Sequence, residues 1–289
     1  MAQVARLAPK VLGSSTSLVV DFFHSQQQED GGFPDRTGRS DLYYTVFGIE
    51  GLIALQQPVP TQKIYDYVRT FGGGADLDLV HVSCLARCWS ALPIALQQEC
   101  PREAMLARLK THRTPDGGFE SALDQPAGSI YASFMAVGAY QDLREPIPEA
   151  ERLLDFIESL RDPDAGFKTS LALPTSVVPV TAGAVTLWRH LDQRPIDPAI
   201  GAWILSCFDP QGGFRPAPSA PLPDLLSTAT ALHALSSLKI EIGRAGELCL
   251  DFIDTLWTNT GGFYGHWDDS HVDCEYTYYA LLALGHLAL

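Results

Sequence analysis

Gln28-Glu29-Asp30-Gly31-Gly32-Phe33 ends on a tripeptide that returns as Gly117-Gly118-Phe119, Ala165-Gly166-Phe167, Gly212-Gly213-Phe214 and Gly261-Gly262-Phe263. From Gly117 onward the copies start 48, 47 and 49 residues apart, and the first lies 86 residues before the second. That long gap holds two units of about 43 residues, so a degenerate copy is expected inside it. A fixed period in this range marks an array of supersecondary units, none of which buries its apolar face alone.

Each unit has one grammar: an amphipathic segment, the glycine turn, a polar loop and an apolar run rich in small residues. In the first unit Leu18, Val19, Phe22 and Phe23 recur at helical spacing and stop near Gln26. In the last, Leu248, Leu250, Phe252, Ile253 and Leu256 do the same. The runs after the loops, such as Val46 to Leu55, Ala229 to Leu238 and Tyr278 to Leu289, are apolar nearly all round. A helix with two buried sides needs that composition. Each unit therefore reads as an outer half-exposed helix, a turn and an inner buried helix. The degenerate copy falls at Phe71-Gly72-Gly73-Gly74, between an outer helix over Lys63 to Phe71 and an inner one over Leu79 to Leu92. Six helical hairpins without polar end caps are expected to close on themselves. The predicted fold is all-α: a closed α6/α6 toroid forming one domain over residues 1–289.

The bulk numbers narrow the function. A formal charge of −14 argues against nucleic acid or an anionic membrane as main partner, since both reward Lys and Arg. No apolar run reaches the roughly 18 residues of a membrane span, and no leader pattern opens the sequence. Six cysteines without regular spacing do not read as a disulfide framework, and a reducing, cytoplasmic setting is expected.

Aligned inner-helix starts show a second pattern: Asp41-Leu42-Tyr43-Tyr44-Thr45, Asp78-Leu79-Val80-His81-Val82, Ser129-Ile130-Tyr131-Ala132-Ser133, Asp224-Leu225-Leu226-Ser227-Thr228 and Asp273-Cys274-Glu275-Tyr276-Thr277. Asp or Ser before an apolar run is a helix N-cap, and the same geometry crowds these side chains around one mouth of the ring. The sharpest cluster is Asp273, Cys274 and Glu275, with His266 and His271 just before it. It reads either as three metal or proton ligands or as one cap beside an acidic loop. His81 is read as a hydrogen-bonded histidine or a ligand-binding one. Tyr43, Tyr44, Tyr276, Tyr278 and Tyr279 read singly as packing residues, but together would wall a cavity suited to a long apolar ligand.

The run Gln27-Gln28-Glu29-Asp30-Gly31-Gly32-Phe33-Pro34-Asp35-Arg36, continuing through Asp41-Leu42-Tyr43-Tyr44-Thr45 to Gly51-Leu52, closely resembles the β subunit of protein prenyltransferases. The likeness is nearest to the geranylgeranyltransferase that modifies Rab proteins. The wider superfamily of prenyltransferase and squalene-cyclase repeats covers essentially the whole chain. The resemblance implies a prenyl diphosphate in a central aromatic cavity, and as partner a helical-repeat α subunit. It also implies zinc held by Asp-x-Cys at one inner-helix start and His at the next. Those positions fall on Asp273, Glu275 and Tyr44, so Asp273, Glu275 and Tyr44 become the candidate catalytic residues. Repeat one resembles the family's last repeat, which places the site at the seam between the chain's first and last units.

The departures from the family pattern alter the expected chemistry. With Glu at the cysteine position and Tyr at the histidine position, Asp273, Glu275 and Tyr44 make a harder site, which suits magnesium, manganese or no metal better than zinc; the candidate metal ligands are Asp273, Cys274 and Glu275. The family's diphosphate-gripping loop is acidic here, His266-Trp267-Asp268-Asp269-Ser270-His271. Positive charge comes instead from Arg36, Arg39, Lys168 and Arg215, taken as substrate-binding candidates with Tyr43, His81, Tyr131, His266 and Tyr276. The terpene-cyclase acid motif is met only in part by Asp76-Leu77-Asp78-Leu79. Three readings follow: a prenyltransferase-like protein with an altered metal site, a non-catalytic toroid scaffold for lipid or protein, and a terpene cyclase-like enzyme.

Overall fold

In the computed structural model, which describes residues 1–192 and 195–289, one hydrogen bond repeats in five of the hairpin turns. The backbone N–H of the motif phenylalanine donates to a hydroxyl one turn into the following inner helix. The pairs are Phe33 to Thr45 (2.9 Å), Phe119 to Ser133 (3.1 Å), Phe167 to Thr181 (3.0 Å), Phe214 to Thr228 (2.9 Å) and Phe263 to Thr277 (3.2 Å). All five phenylalanines are buried. The bond satisfies a donor that water cannot reach, and so fixes where each inner helix starts relative to its turn.

The hairpins pair α1 (Thr16–Gln26) with α2 (Leu42–Ala54), α3 (Thr61–Arg69) with α4 (Leu79–Ala91), and α5 (Arg102–Lys110) with α6 (Ile130–Asp142). They continue as α7 (Ala150–Ser159) with α8 (Val178–Leu191), α9 (Pro198–Ser206) with α10 (Leu225–Ser237), and α11 (Ala245–Thr255) with α12 (Cys274–Leu287). Even-numbered helices are inner and odd-numbered outer. Asp41, Asp78, Ser129, Asp224 and Asp273 cap inner helices, each side chain accepting from backbone N–H groups of the first turn. Val177 before α8 has no side chain able to do so, which makes the fourth unit the least regular.

Inner helices touch in the order α2, α4, α6, α8, α10, α12, and α12 packs on α2, returning the ring to its start. The turns repeat the same closure. The first motif glycine adopts positive φ, and a Cβ there would meet the outer-helix backbone of the next unit. Its distance would be 2.1 Å from the Lys63 carbonyl oxygen at Gly31 and 2.1 Å from that of Leu248 at Gly212. At Gly261 the neighbour is Leu18 of the first unit, again 2.1 Å away. Residues 1–8 lie over α12 and α2, with Ala5 and Ala8 fully buried.

The fold departs from the all-helical expectation in small ways. The residue after each glycine pair is extended, and two loops form antiparallel ribbons: β1 (Phe33–Pro34) with β2 (Ser40–Asp41), and β3 (Lys168–Ser170) with β4 (Leu173–Ser176). The inner helices begin at the aligned caps, as at Leu42 after Asp41, a turn ahead of the apolar runs. Among the described residues no helix is long and apolar enough to cross a membrane.

Candidate functional site

Arg36, in the loop between β1 and β2, spans the seam. Its Nε lies 2.9 Å from Asp273 Oδ2 and its Nη2 2.9 Å from Asp269 Oδ2. The guanidinium also sits over the Tyr276 ring, 5.3 Å from its centroid. Asp273 caps α12 with its other oxygen, which accepts from the Tyr276 N–H at 2.9 Å. Two residues on, Glu275 Oε1 accepts from the Tyr43 hydroxyl across the seam at 2.6 Å. Burial pushes the Glu275 carboxyl up to about 7, despite the favourable Tyr43 bond. Burial also raises Tyr43 well above its ordinary value. Tyr44 is pushed up to about 12 by burial and by the charges of Asp273 and Glu275.

Behind this pair lies a cavity of about 240 Å³ inside the ring. Tyr43, Phe47, Tyr131, Phe134, Tyr278 and Tyr279 form its aromatic wall. Ring centroids are 5.0 Å apart for Tyr43 and Phe47, and 5.5 Å for Phe47 and Tyr279. The wall therefore straddles the seam, with α2 and α12 each supplying part. A larger groove of about 740 Å³ lies beside α4 and α5, lined by Trp89, Ile94 and Arg102. Tyr43 lines the smaller cavity and not this groove, and Glu275 joins the smaller cavity through its bond to Tyr43.

The structure thus brings together Arg36, Tyr43, Tyr44, Tyr131, Asp273, Glu275 and Tyr276. His81 stands beside them as a link between units one and two. Its Nδ1 lies 2.8 Å from Asp78 Oδ1 and its Nε2 3.1 Å from Asp41 Oδ2, which together raise the ring to about 10. The His266 ring accepts from the Asp268 N–H within the mouth loop. Three cations stand apart, each serving its own loop: Arg39 donates to Thr37, Lys168 pairs with Asp162, and Arg215 pairs with Asp209. Asp76 and Asp78 are exposed and do not line the cavity.

The tentative metal set does not converge. Asp273 is engaged by Arg36 and Glu275 by Tyr43, while Cys274 is 1% exposed and burial raises its thiol well above the ordinary range. Among the described residues, no group of three His, Cys, Asp or Glu side chains could hold an ion. The residues do not fit a zinc or magnesium centre. The physical reason is helical phase: Cys274 shares a face with Thr277 and Leu281, both fully buried, whereas Glu275 shares one with Tyr278 and Tyr279.

Sequence reasoning missed the inner end of the cavity. There Glu50 of α2, Arg87 of α4 and Asp142 of α6 form an ion cluster. The signal was present: Glu50 and Arg87 are lone charges inside otherwise apolar inner-helix runs.

The model of the prenyltransferase alpha-alpha toroid domain family matches residues 10–85, 81–176 and 181–288. Among solved structures, the chain is similar to D-mannose isomerase (TM-score 0.67, 14% identity, 96% of this chain and 97% of that one). It is similar to a variant of the type II terpene cyclase MstE from Scytonema in complex with its substrate geranylgeranyl dihydroxybenzoate (0.61, 12%, 100% and 98%). It is also similar to Candida albicans protein geranylgeranyltransferase-I complexed with GGPP (0.52, 13%, 78% and 90%). Identities this low establish likeness of fold alone. No curated protein matches the chain in sequence.

Proposed function

The chain belongs to the prenyltransferase alpha-alpha toroid domain family, and from that premise we propose that its central cavity binds an isoprenoid chain as a neutral ligand. The observation that carries the reading is the aromatic wall across the seam, one of whose members, Tyr43, donates to the half-buried Glu275 carboxyl; that carboxyl is pushed up to about 7. Two similar structures hold geranylgeranyl ligands, which supports an isoprenoid here. D-mannose isomerase has the same fold, so the fold alone does not choose between lipid and sugar. A wall built mainly of Phe, Tyr, Val and Met favours the lipid.

The mouth argues against a diphosphate. Arg36 is committed to Asp269 and Asp273, and Asp41 and Asp78 flank the same rim. An incoming diphosphate would meet these carboxylates, with Arg36 already paired to two of them. Group transfer on a metal does not suit the residues present. The chemistry open to the site is proton transfer: burial pushes Glu275 up to about 7, close to the operating pH at which a general acid or base is most effective. In this reading Tyr43 positions Glu275, and Asp273 with Arg36 holds the mouth in register.

Isothermal titration with farnesol, geraniol and their diphosphates tests the proposal. The alcohols are expected to bind and the diphosphates to bind at least tenfold more weakly, with no gain on adding zinc or magnesium. Absence of binding by every compound would sink the isoprenoid reading. Preference for the diphosphates would overturn the neutral-ligand part of it.

A further inference from the structure

At the inner end of the cavity, Arg87 Nε donates to Glu50 Oε1 at 2.8 Å and Nη1 to Asp142 Oδ1 at 2.8 Å. Ser90 also donates to Asp142 Oδ1, at 3.1 Å. One arginine thus faces two carboxylates. Glu50 is 6% exposed, lines the cavity, and its Oε2 is buried without a hydrogen-bond partner. The Met1 amine is near enough to feel the Glu50 charge, yet it makes no bond to that oxygen. A buried carboxylate oxygen left without a partner is costly, and a ligand donor that reaches it recovers the loss.

We propose that the Glu50–Arg87–Asp142 cluster is the head-group site for the cavity's ligand. It takes a hydrogen-bond donor, a hydroxyl of the alcohol class, so that the isoprenoid binds head inward. This rests on the isoprenoid reading above and adds the ligand's polar group and orientation. Glu50 lies seven residues beyond Tyr43 on α2, about 10 Å along the axis. A chain anchored on Glu50 therefore directs its tail toward Glu275 and Tyr43. A diphosphate head is disfavoured at this end too, because Arg87 is already paired with both Glu50 and Asp142. A pure hydrocarbon would leave Oε2 unpaired.

The test compares farnesol, its methyl ether and the parent hydrocarbon by calorimetric titration. The wild-type protein, Glu50→Gln and Glu275→Gln are each measured. Farnesol is expected to bind tenfold or more tightly than the ether or hydrocarbon, the ratio a hydrogen bond to a charged acceptor yields. In Glu50→Gln the amide NH₂ can donate to alcohol and ether alike, so the preference between them disappears. Glu275→Gln keeps the preference. Equal binding of all three ligands to the wild type would overturn the head-group site while leaving the isoprenoid reading intact. A preference lost in Glu275→Gln and kept in Glu50→Gln would place the hydroxyl at the mouth, and so also overturns it. Failure of all three ligands to bind removes the isoprenoid reading itself. Should Glu50→Gln not fold, the wild-type ratio and its survival in Glu275→Gln still decide the question.

Discussion

Glu275 shows how one residue changes meaning once its surroundings are known. In the sequence it reads as a candidate metal ligand; in the fold it is a half-buried carboxyl bonded to the Tyr43 hydroxyl. Its location was legible, because the Asp273 cap fixes the start of α12 and helical phase then aims position 275 at the ring axis. Its protonation was not, since that depends on desolvation by residues far away in sequence. The consequence is measurable. Unfolded, the carboxyl titrates near its ordinary 4.5; folded, near 7. Between those values the folded chain holds the extra proton, so this group makes stability fall as pH rises from about 4.5 to about 7. Its contribution is constant above that window. The loss amounts to about 3 kcal/mol by the usual conversion. Glu275→Gln should remove it, so the variant gains on the wild type between pH 5 and pH 8 in urea unfolding. Identical pH profiles for the two proteins would mean that Glu275 is ionised in the fold.

Among the elements, the hairpin turn was read as a tripeptide but works as a clamp with three parts. The glycine pair admits the next outer helix, the phenylalanine fills the core, and a hydroxyl at the fifth position from each cap takes the phenylalanine N–H. Those hydroxyl positions were visible in the aligned helix starts, but spacing alone does not reveal a bond twelve or fourteen residues long in sequence. The second unit supports the interpretation. It lacks the motif phenylalanine, and it also carries Val82 where the others have Thr or Ser. The fourth unit carries a different irregularity, Ala165 at φ 74°. A left-handed alanine costs about 1–2 kcal/mol, while glycine's extra unfolded freedom offsets about 0.4–1 of that. Ala165→Gly is therefore expected to raise stability by about 0.5–1 kcal/mol. A rise in the thermal midpoint checks it, and a lowered midpoint would show that the alanine methyl contributes packing worth more than the strain.

For the whole molecule, closure is what joins the fold to the site. Tyr43 and Phe47 come from α2, Glu275 and Tyr278 from α12, and they meet only because the sixth unit docks on the first. The repeat period and the count of six hairpins made a ring legible in the sequence. The inner ion cluster was not, because it gathers residues from three units whose rotation about the ring axis no single repeat specifies. The seam can be tested apart from stability, since the chain offers an internal control. Gly212 (φ 105°) and Gly261 (φ 90°) would each place a new Cβ 2.1 Å from a carbonyl oxygen, that of Leu248 or Leu18. Replacing either by alanine combines left-handed strain with a backbone clash, at a cost of about 3 kcal/mol. The two variants should therefore lose similar stability. They should part company in binding: Gly261→Ala shifts the units that carry the two halves of the wall, so farnesol affinity is expected to drop about tenfold at a temperature where both variants remain folded. Gly212→Ala strains a junction that the cavity does not use, and its affinity should stay within about twofold of wild type. A parallel drop in both would show that the cavity responds to the ring as one elastic body, with no privileged role for the seam.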